Sequence, residues 1–208
     1  MEIYAFGSMV RGEIDRFSDV DLLILKDIKE DIPKIDKEQF SIYTYQRISQ
    51  LWEEGNPFSW HLFIESKCLF SANHTPFLTT LGEPTRYSNL LNDLKKFQQL
   101  FLDSKFSIEV EKHSVDFDLS MIFLAIRNFA SCFSLGFLSK NEFSRDAALK
   151  IGQYSIEINP TIYNRLRESR ILATRGIGER ILEDELMTII NEFYTIENWF
   201  NELLKLVK

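Results

Sequence analysis

Phe6-Gly7-Ser8-Met9-Val10-Arg11-Gly12-Glu13 and, a few residues on, Phe17-Ser18-Asp19-Val20-Asp21-Leu22-Leu23-Ile24 are the two runs from which the fold is read. Ile3 to Phe6 is a short β-type run, stopped by Gly7-Ser8, and Met9 to Glu13 suits one or two helical turns. Val20 to Leu25 is a second apolar run, entered through Ser18-Asp19, and reads as a buried strand. A strand that ends in glycine and passes into a helix can bring its backbone close to a ligand, and free N–H groups at the helix start attract anions. Gly7 and Ser8 are therefore candidate nucleotide-binding residues, with the Ser8 hydroxyl as an added donor.

Asp19 and Asp21 are one residue apart. Alternate side chains on a strand share a face, so the spacing predicts both carboxylates on one side, facing Ser8. Two such carboxylates repel, and a divalent cation relieves the repulsion. Mg²⁺ prefers oxygen and joins one or two carboxylates to substrate phosphates. Asp19 and Asp21 are thus the candidate metal ligands and catalytic residues.

Working outward, residues 27–39 are charged and contain Pro33, which reads as a solvated connection. Phe40 to Tyr45 reads as a third strand. Ile48 to Glu54 reads as a helix ending at Gly55, Pro57 opens another through Glu65, and Cys68 to Phe70 is a last short strand. Residues 76–88 hold Pro76, Gly82 and Pro84 and read as a linker between a domain over 1–75 and a helical bundle over 89–208. Leu90, Leu91, Leu94, Phe97, Leu100 and Phe101 keep helical spacing, as do Leu119, Ile122, Ile126, Phe129, Phe133 and Phe137. Asn159-Pro160 is an N-cap with proline at the first helical position, and Ser144 reads as another N-cap. Leu182, Leu186, Ile189, Phe193, Ile196, Phe200 and Leu203 predict one continuous last helix with an apolar stripe, which an antiparallel bundle would bury. The predicted architecture is a small α/β (α+β) domain with a mixed sheet, followed by an all-α bundle.

The compound pattern of a β-run ending in Gly-Ser, an Arg-Gly pair and Ser-Asp-x-Asp opening a second β-run resembles the signature of the DNA polymerase β-like nucleotidyltransferase superfamily. The later order Tyr43-Thr44, Gly55-Asn56-Pro57-Phe58, Glu65 and Leu69-Phe70 is similar to the rest of a minimal nucleotidyltransferase. The helical half is similar in layout to kanamycin nucleotidyltransferase-like enzymes and to HEPN proteins. The resemblance implies binding of an NTP, with ATP expected, together with Mg²⁺, and transfer of a nucleoside monophosphate to a hydroxyl of a small-molecule or protein acceptor.

Three departures qualify what the resemblance implies. The family pattern implies a third carboxylate on the strand Phe40–Tyr45, where this chain has Ser41; Asp36, Glu38 and Glu65 are the nearby acids, and Glu65 reads as an exposed surface residue. The alternative to an enzyme is therefore a catalytically impaired nucleotide- or partner-binding module, antitoxin-like in kind. The chain begins almost on its first strand, which leaves the pocket open or covered by a partner chain, a homodimer being one such arrangement. Arg127-Asn128 is followed by Phe133 where nucleolytic HEPN proteins carry histidine, so nuclease activity is not expected.

The net charge of −7 is concentrated early: residues 1–85 carry 14 acidic and 8 basic side chains. Such a surface disfavours a long nucleic-acid partner, which needs clustered Lys and Arg. The one arginine-rich stretch, Arg165, Arg167, Arg170, Arg175 and Arg180, reads as a solvated helix face balanced by Glu168, Glu179 and Glu183. Cys68 and Cys132 lie far apart and form no Cys-x-x-Cys pair, so neither a disulfide framework nor a zinc site is expected. Leu119–Leu138 reads as a buried helix rather than a membrane span, and the expected location is the cytoplasm.

Overall fold

The computed structural model describes residues 1–13, 20–31, 40–111 and 114–207. It divides into two units, Met1–Ser88 and Asn89–Lys208. In the first, β1 (Glu2–Phe6), β2 (Asp21–Lys26), β3 (Phe40–Thr44) and β4 (Ser66–Ser71) form a mixed sheet in the order β3-β2-β1-β4. β1 runs antiparallel to β2 and β4, and β2 runs parallel to β3. The parallel step needs a connection of a dozen or more residues, and thirteen separate Lys26 from Phe40 in the sequence.

Alternation puts Tyr4 and Phe6 of β1 on one face, opposite Leu23 and Asp21 of β2. That face is covered by α2 (Tyr45–Glu53), α3 (Pro57–Glu65) and α4 (Phe77–Leu81). Tyr4, Phe6, Leu23 and Leu25 form one buried cluster with Ile48, Leu51, Trp52, Leu62 and Leu78. Helix starts follow local chemistry. The Thr44 hydroxyl accepts from Arg47 N–H at 3.1 Å, so α2 begins three residues before the predicted Ile48. The Asn56 side chain accepts from Phe58 N–H at 2.9 Å, with Pro57 in the first turn of α3.

Glu2 occupies the same buried face and is fully buried. Its carboxylate accepts from the Tyr4 hydroxyl, from Ser71 Oγ at 2.8 Å and from Phe77 N–H at 2.9 Å. Tyr4 Oη in turn accepts from Leu78 N–H at 3.2 Å. Burial, reinforced by the Glu2 hydrogen bond, pushes the Tyr4 phenol well above its ordinary range. The network fastens α4 to the sheet, so residues 76–88, read as a linker, are built into the first unit. Trp52 Nε1 donates to Gly82 O at 2.9 Å, Trp60 Nε1 to Thr85 O at 3.1 Å, and Thr85 N–H to Trp52 O at 3.0 Å. Gly55 lies under this strap at φ +61°, and a Cβ there would come within 2.3 Å of Thr85 O. Only glycine fits.

The described residues of the second unit hold α-helices and no strand, with an irregular stretch between the second and third helix: α5 (Leu90–Phe106), α6 (Val115–Gly136), α7 (Pro160–Arg175), α8 (Glu183–Asn191) and α9 (Phe193–Leu206). α6 is the central helix, packed by α5 and α7, with α9 against α5. It is long and apolar enough to cross a membrane, but 67% of its most apolar window is buried inside the protein. Phenylalanines fill this core: Phe129 meets Phe200 edge-to-face at 4.7 Å, and Phe101 lies 5.3 Å from Phe200. Asn159 caps α7 by accepting from Thr161 N–H at 2.9 Å.

Two expectations for this unit are corrected. The last helix is broken at Glu192, whose N–H bonds three residues back to Ile189 O at 3.0 Å and tightens the turn. No glycine or proline marks the break. The buried stripe accordingly starts at Ile189, while Leu182 is exposed. Ser144 does not cap a helix: its Oγ is buried with no hydrogen-bond partner among the described residues.

Candidate functional site

β1 ends at Phe6, and the chain turns through Gly7 at φ 72°, ψ −142° into α1 (Ser8–Arg11), a single turn closed by Gly12 in the left-handed conformation. Val10 N–H and Arg11 N–H return to Gly7 O at 3.1 and 3.2 Å, and Glu13 N–H to Ser8 O at 2.9 Å. Ser8 is buried. Across the sheet, Phe6 is opposite Asp21, the first residue of β2. This register brings the Asp21 carboxylate onto the turn: a Cβ at Gly7 would lie 2.6 Å from Asp21 Oδ2. Gly7 thus serves twice, by adopting a backbone conformation closed to L side chains and by leaving room for a carboxylate.

Three predicted site residues, Gly7, Ser8 and Asp21, therefore converge at one end of β1 and β2. The fourth, Asp19, lies outside the described residues, as do Asp36 and Glu38. Val20, expected as the first residue of the strand, precedes it. Ser41 pairs with Leu23. Asp21 and Leu23 are two apart on β2, so Ser41 is on the face shared by Asp21. The position where the resemblance implies a third acid carries a hydroxyl.

Glu65, expected at the surface, is 7% exposed. Its Oε2 accepts from Arg11 Nη1 and lies 2.8 Å from His61 Nε2. Arg11 Nε also donates to Glu13 at 2.8 Å. Burial by itself would raise the Glu65 carboxyl, but the His61 hydrogen bond and the His61 and Arg11 charges outweigh it, and the carboxyl is held below its ordinary value. The His61 ring packs edge-on against Phe6, with centroids 5.6 Å apart. His61 and Arg11 were missed as site neighbours. The available signal was the i, i+4 spacing of His61 and Glu65 on a helix opened by Pro57.

No cluster of three or more His, Cys, Asp or Glu suited to a metal occurs among the described residues. The residue type at this turn nonetheless fits a hard, oxygen-preferring cation carried by a phosphate ligand: the described donor is a carboxylate, and the absent Cβ at Gly7 lets it stand against the turn.

In the helical unit, Arg127 is held in place by its own neighbours. It donates to Phe143 O at 2.6 Å, Ser144 O at 3.4 Å and Asn128 Oδ1 at 3.0 Å. The arginine-rich stretch is only partly a solvated face. Arg165 sits 3.4 Å from Glu185 and 3.7 Å from Glu168, while Arg170 reaches Ser120 Oγ at 3.3 Å and is half-buried.

Residues 1–96 match the family model described as nucleotidyltransferase domain. No curated protein matches the chain. The family match supports the nucleotidyltransferase superfamily for the N-terminal unit and nucleotidyl transfer as its general chemistry.

Proposed function

We propose, from the premise that residues 1–96 carry a nucleotidyltransferase domain, that this unit binds an NTP with Mg²⁺ and transfers its nucleoside monophosphate to a hydroxyl of a small-molecule or protein acceptor. One observation carries the reading: the Asp21 carboxylate lies against the Gly7 turn, at a separation that only glycine tolerates. The turn at Gly7 and Ser8 receives the phosphates, and Asp19 and Asp21 hold the cation. Mg²⁺ when bound offsets the charge that spreads over the transferring phosphorus. The acceptor oxygen forms a bond to the α-phosphorus as the α–β bridging bond breaks, pyrophosphate departs, and the hydroxyl proton passes to a base. ATP is the proposed nucleotide and the cytoplasm the proposed compartment, with a second copy of the chain as a candidate cover for the pocket.

A second reading, a nucleotide- or partner-binding module with impaired turnover, is favoured by Ser41. A neutral hydroxyl on the face of Asp21 supplies no base at neutral pH, where a positioned base is worth roughly 10²–10⁴-fold in rate. Glu65 is no substitute, because its Oε2 is already shared by Arg11 and His61.

Incubation with labelled ATP, GTP, CTP and UTP plus Mg²⁺ or Mn²⁺, scored for pyrophosphate release and for metal-dependent binding by calorimetry, tests both. Turnover supports the enzyme. Metal-dependent binding with no turnover on any acceptor supports the module. Absence of metal-dependent binding at millimolar nucleotide refutes the nucleotide site in both readings and leaves only a protein–protein scaffold.

A further inference from the structure

A single helical turn does not hold its shape unaided, because nucleation costs more than one hydrogen bond returns. α1 is such a turn, with a glycine of positive φ at each end. Its last residue, Arg11, has a guanidinium that by residue type would suit a phosphate. The structure directs it elsewhere. Arg11 Nη1 donates to Glu65 Oε2 at the end of α3, and Arg11 Nε donates to Glu13 at 2.8 Å. The same Glu65 oxygen lies 2.8 Å from His61 Nε2, one helical turn earlier on α3. α3 is fixed in the core by Leu62, and the residue after Glu65, Ser66, pairs with Phe6 immediately before the turn. The carboxylate is buried and Arg11 has 19% side-chain exposure, so parting the two would leave a desolvated carboxylate held by His61 alone and a guanidinium held by Glu13 alone.

We propose that Glu65 is a positioning residue for the Gly7–Gly12 turn. It clamps Arg11, His61 orients its carboxylate, and Arg11 acts as the anchor of the turn rather than as a ligand of phosphate. This rests on the nucleotide reading of Gly7 and Ser8 given above, but the clamp itself has a readout that needs no nucleotide.

The test uses the full chain in four forms: wild type, Arg11→Met, Glu65→Gln and the double variant. Kd for MgATP and MgGTP is measured by titration calorimetry, and amide hydrogen exchange is followed along the chain. Each single substitution is expected to weaken nucleotide binding about tenfold, and the double variant no more than the worse single, because the residues act as one unit. Exchange over residues 6–13 rises in all three variants, while β2, β3 and α2 keep their protection. Arg11→Lys, which keeps a charge for Glu65, recovers part of both losses. A large loss of binding in Arg11→Met with none in Glu65→Gln makes Arg11 a direct phosphate ligand and overturns the proposal. Unchanged exchange over 6–13 in Glu65→Gln also overturns it. If Glu65→Gln unfolds the whole unit, the exchange of Arg11→Met and Arg11→Lys decides. A wild type that binds none of MgATP, MgGTP, MgCTP and MgUTP refutes the function proposed above, and the exchange arm still decides the clamp.

Discussion

Replacing Gly7 by alanine separates two physical terms that the structure makes distinct. The first is backbone strain. Gly7 has φ 72° and ψ −142°, a region nearly reserved for glycine, and forcing an L residue there costs about 1–3 kcal/mol. The second is collision, since the new Cβ would lie 2.6 Å from Asp21 Oδ2. Relieving it means displacing a carboxylate from its place on the turn, an overpacking cost of about 1–3 kcal/mol. Gly7→Ala should therefore lose about 2–6 kcal/mol in urea unfolding. Gly12→Ala is the built-in control: its φ is +76°, but a Cβ there meets nothing within 4 Å. It should lose only the left-handed term, about 1–2 kcal/mol. The two variants should also part in calorimetry, with Gly7→Ala losing MgATP binding because Asp21 is moved, and Gly12→Ala retaining most of it. Equal stability losses, together with intact nucleotide binding in Gly7→Ala, would refute the argument that the turn and the carboxylate are built for each other.

Other consequences can be measured directly. Asp21→Asn keeps the shape of the side chain and should abolish the Mg²⁺ dependence of nucleotide binding in calorimetry. Ser41→Asp places a carboxylate on the face of Asp21 and should strengthen Mn²⁺ binding and raise pyrophosphate release; unchanged metal affinity would mean that Ser41 does not stand at the third position. Glu2→Ala strips the acceptor from the Tyr4 hydroxyl and Phe77 N–H, while Ser71 keeps Asn73 O, and should cost about 2–6 kcal/mol in urea unfolding, since each stranded donor costs about 1–3 kcal/mol. The depressed Glu65 carboxyl gives a signed pH dependence: its stabilisation is complete above the unfolded value near 4.5 and is lost as pH falls through the lower folded value. The stability gap between wild type and Glu65→Gln should thus be full at pH 7 and narrow progressively below pH 4.5.

What was legible in the sequence was local. Strand β1 stops where Gly7 permits the turn, α3 starts where Asn56 and Pro57 cap it, and α7 starts where Asn159 and Pro160 do the same. These signals depend on neighbours a few residues away. The convergence of Gly7, Ser8 and Asp21 could also be anticipated, because the runs that carry them are two consecutive strands. Glu65 was misread because its burial depends on Arg11, far off in the chain, and acids at helix ends are usually solvated. Glu2 gave no signal for a similar reason: only the pairing of β1 between β2 and β4 turns its side chain inward. The strap over 76–88 has the prolines and glycine of a linker, and what fastens it are backbone carbonyls that accept from Trp52 and Trp60, acceptors that no residue type announces. The break at Glu192 falls inside an apolar period that continues on both sides, so periodicity alone could not find it.

The strap also gives the protein an intrinsic optical gauge. Trp52 and Trp60 donate their indole N–H groups to Gly82 O and Thr85 O, whereas Trp199 donates to Tyr154 O in the other unit. In a Trp199→Phe background the remaining indole emission comes only from the two side chains that grip the strap. Release of residues 82–85 would expose both indoles to water and red-shift that emission. The loosening of one unit can then be followed by fluorescence in the intact chain, with no label attached and no domain cut away.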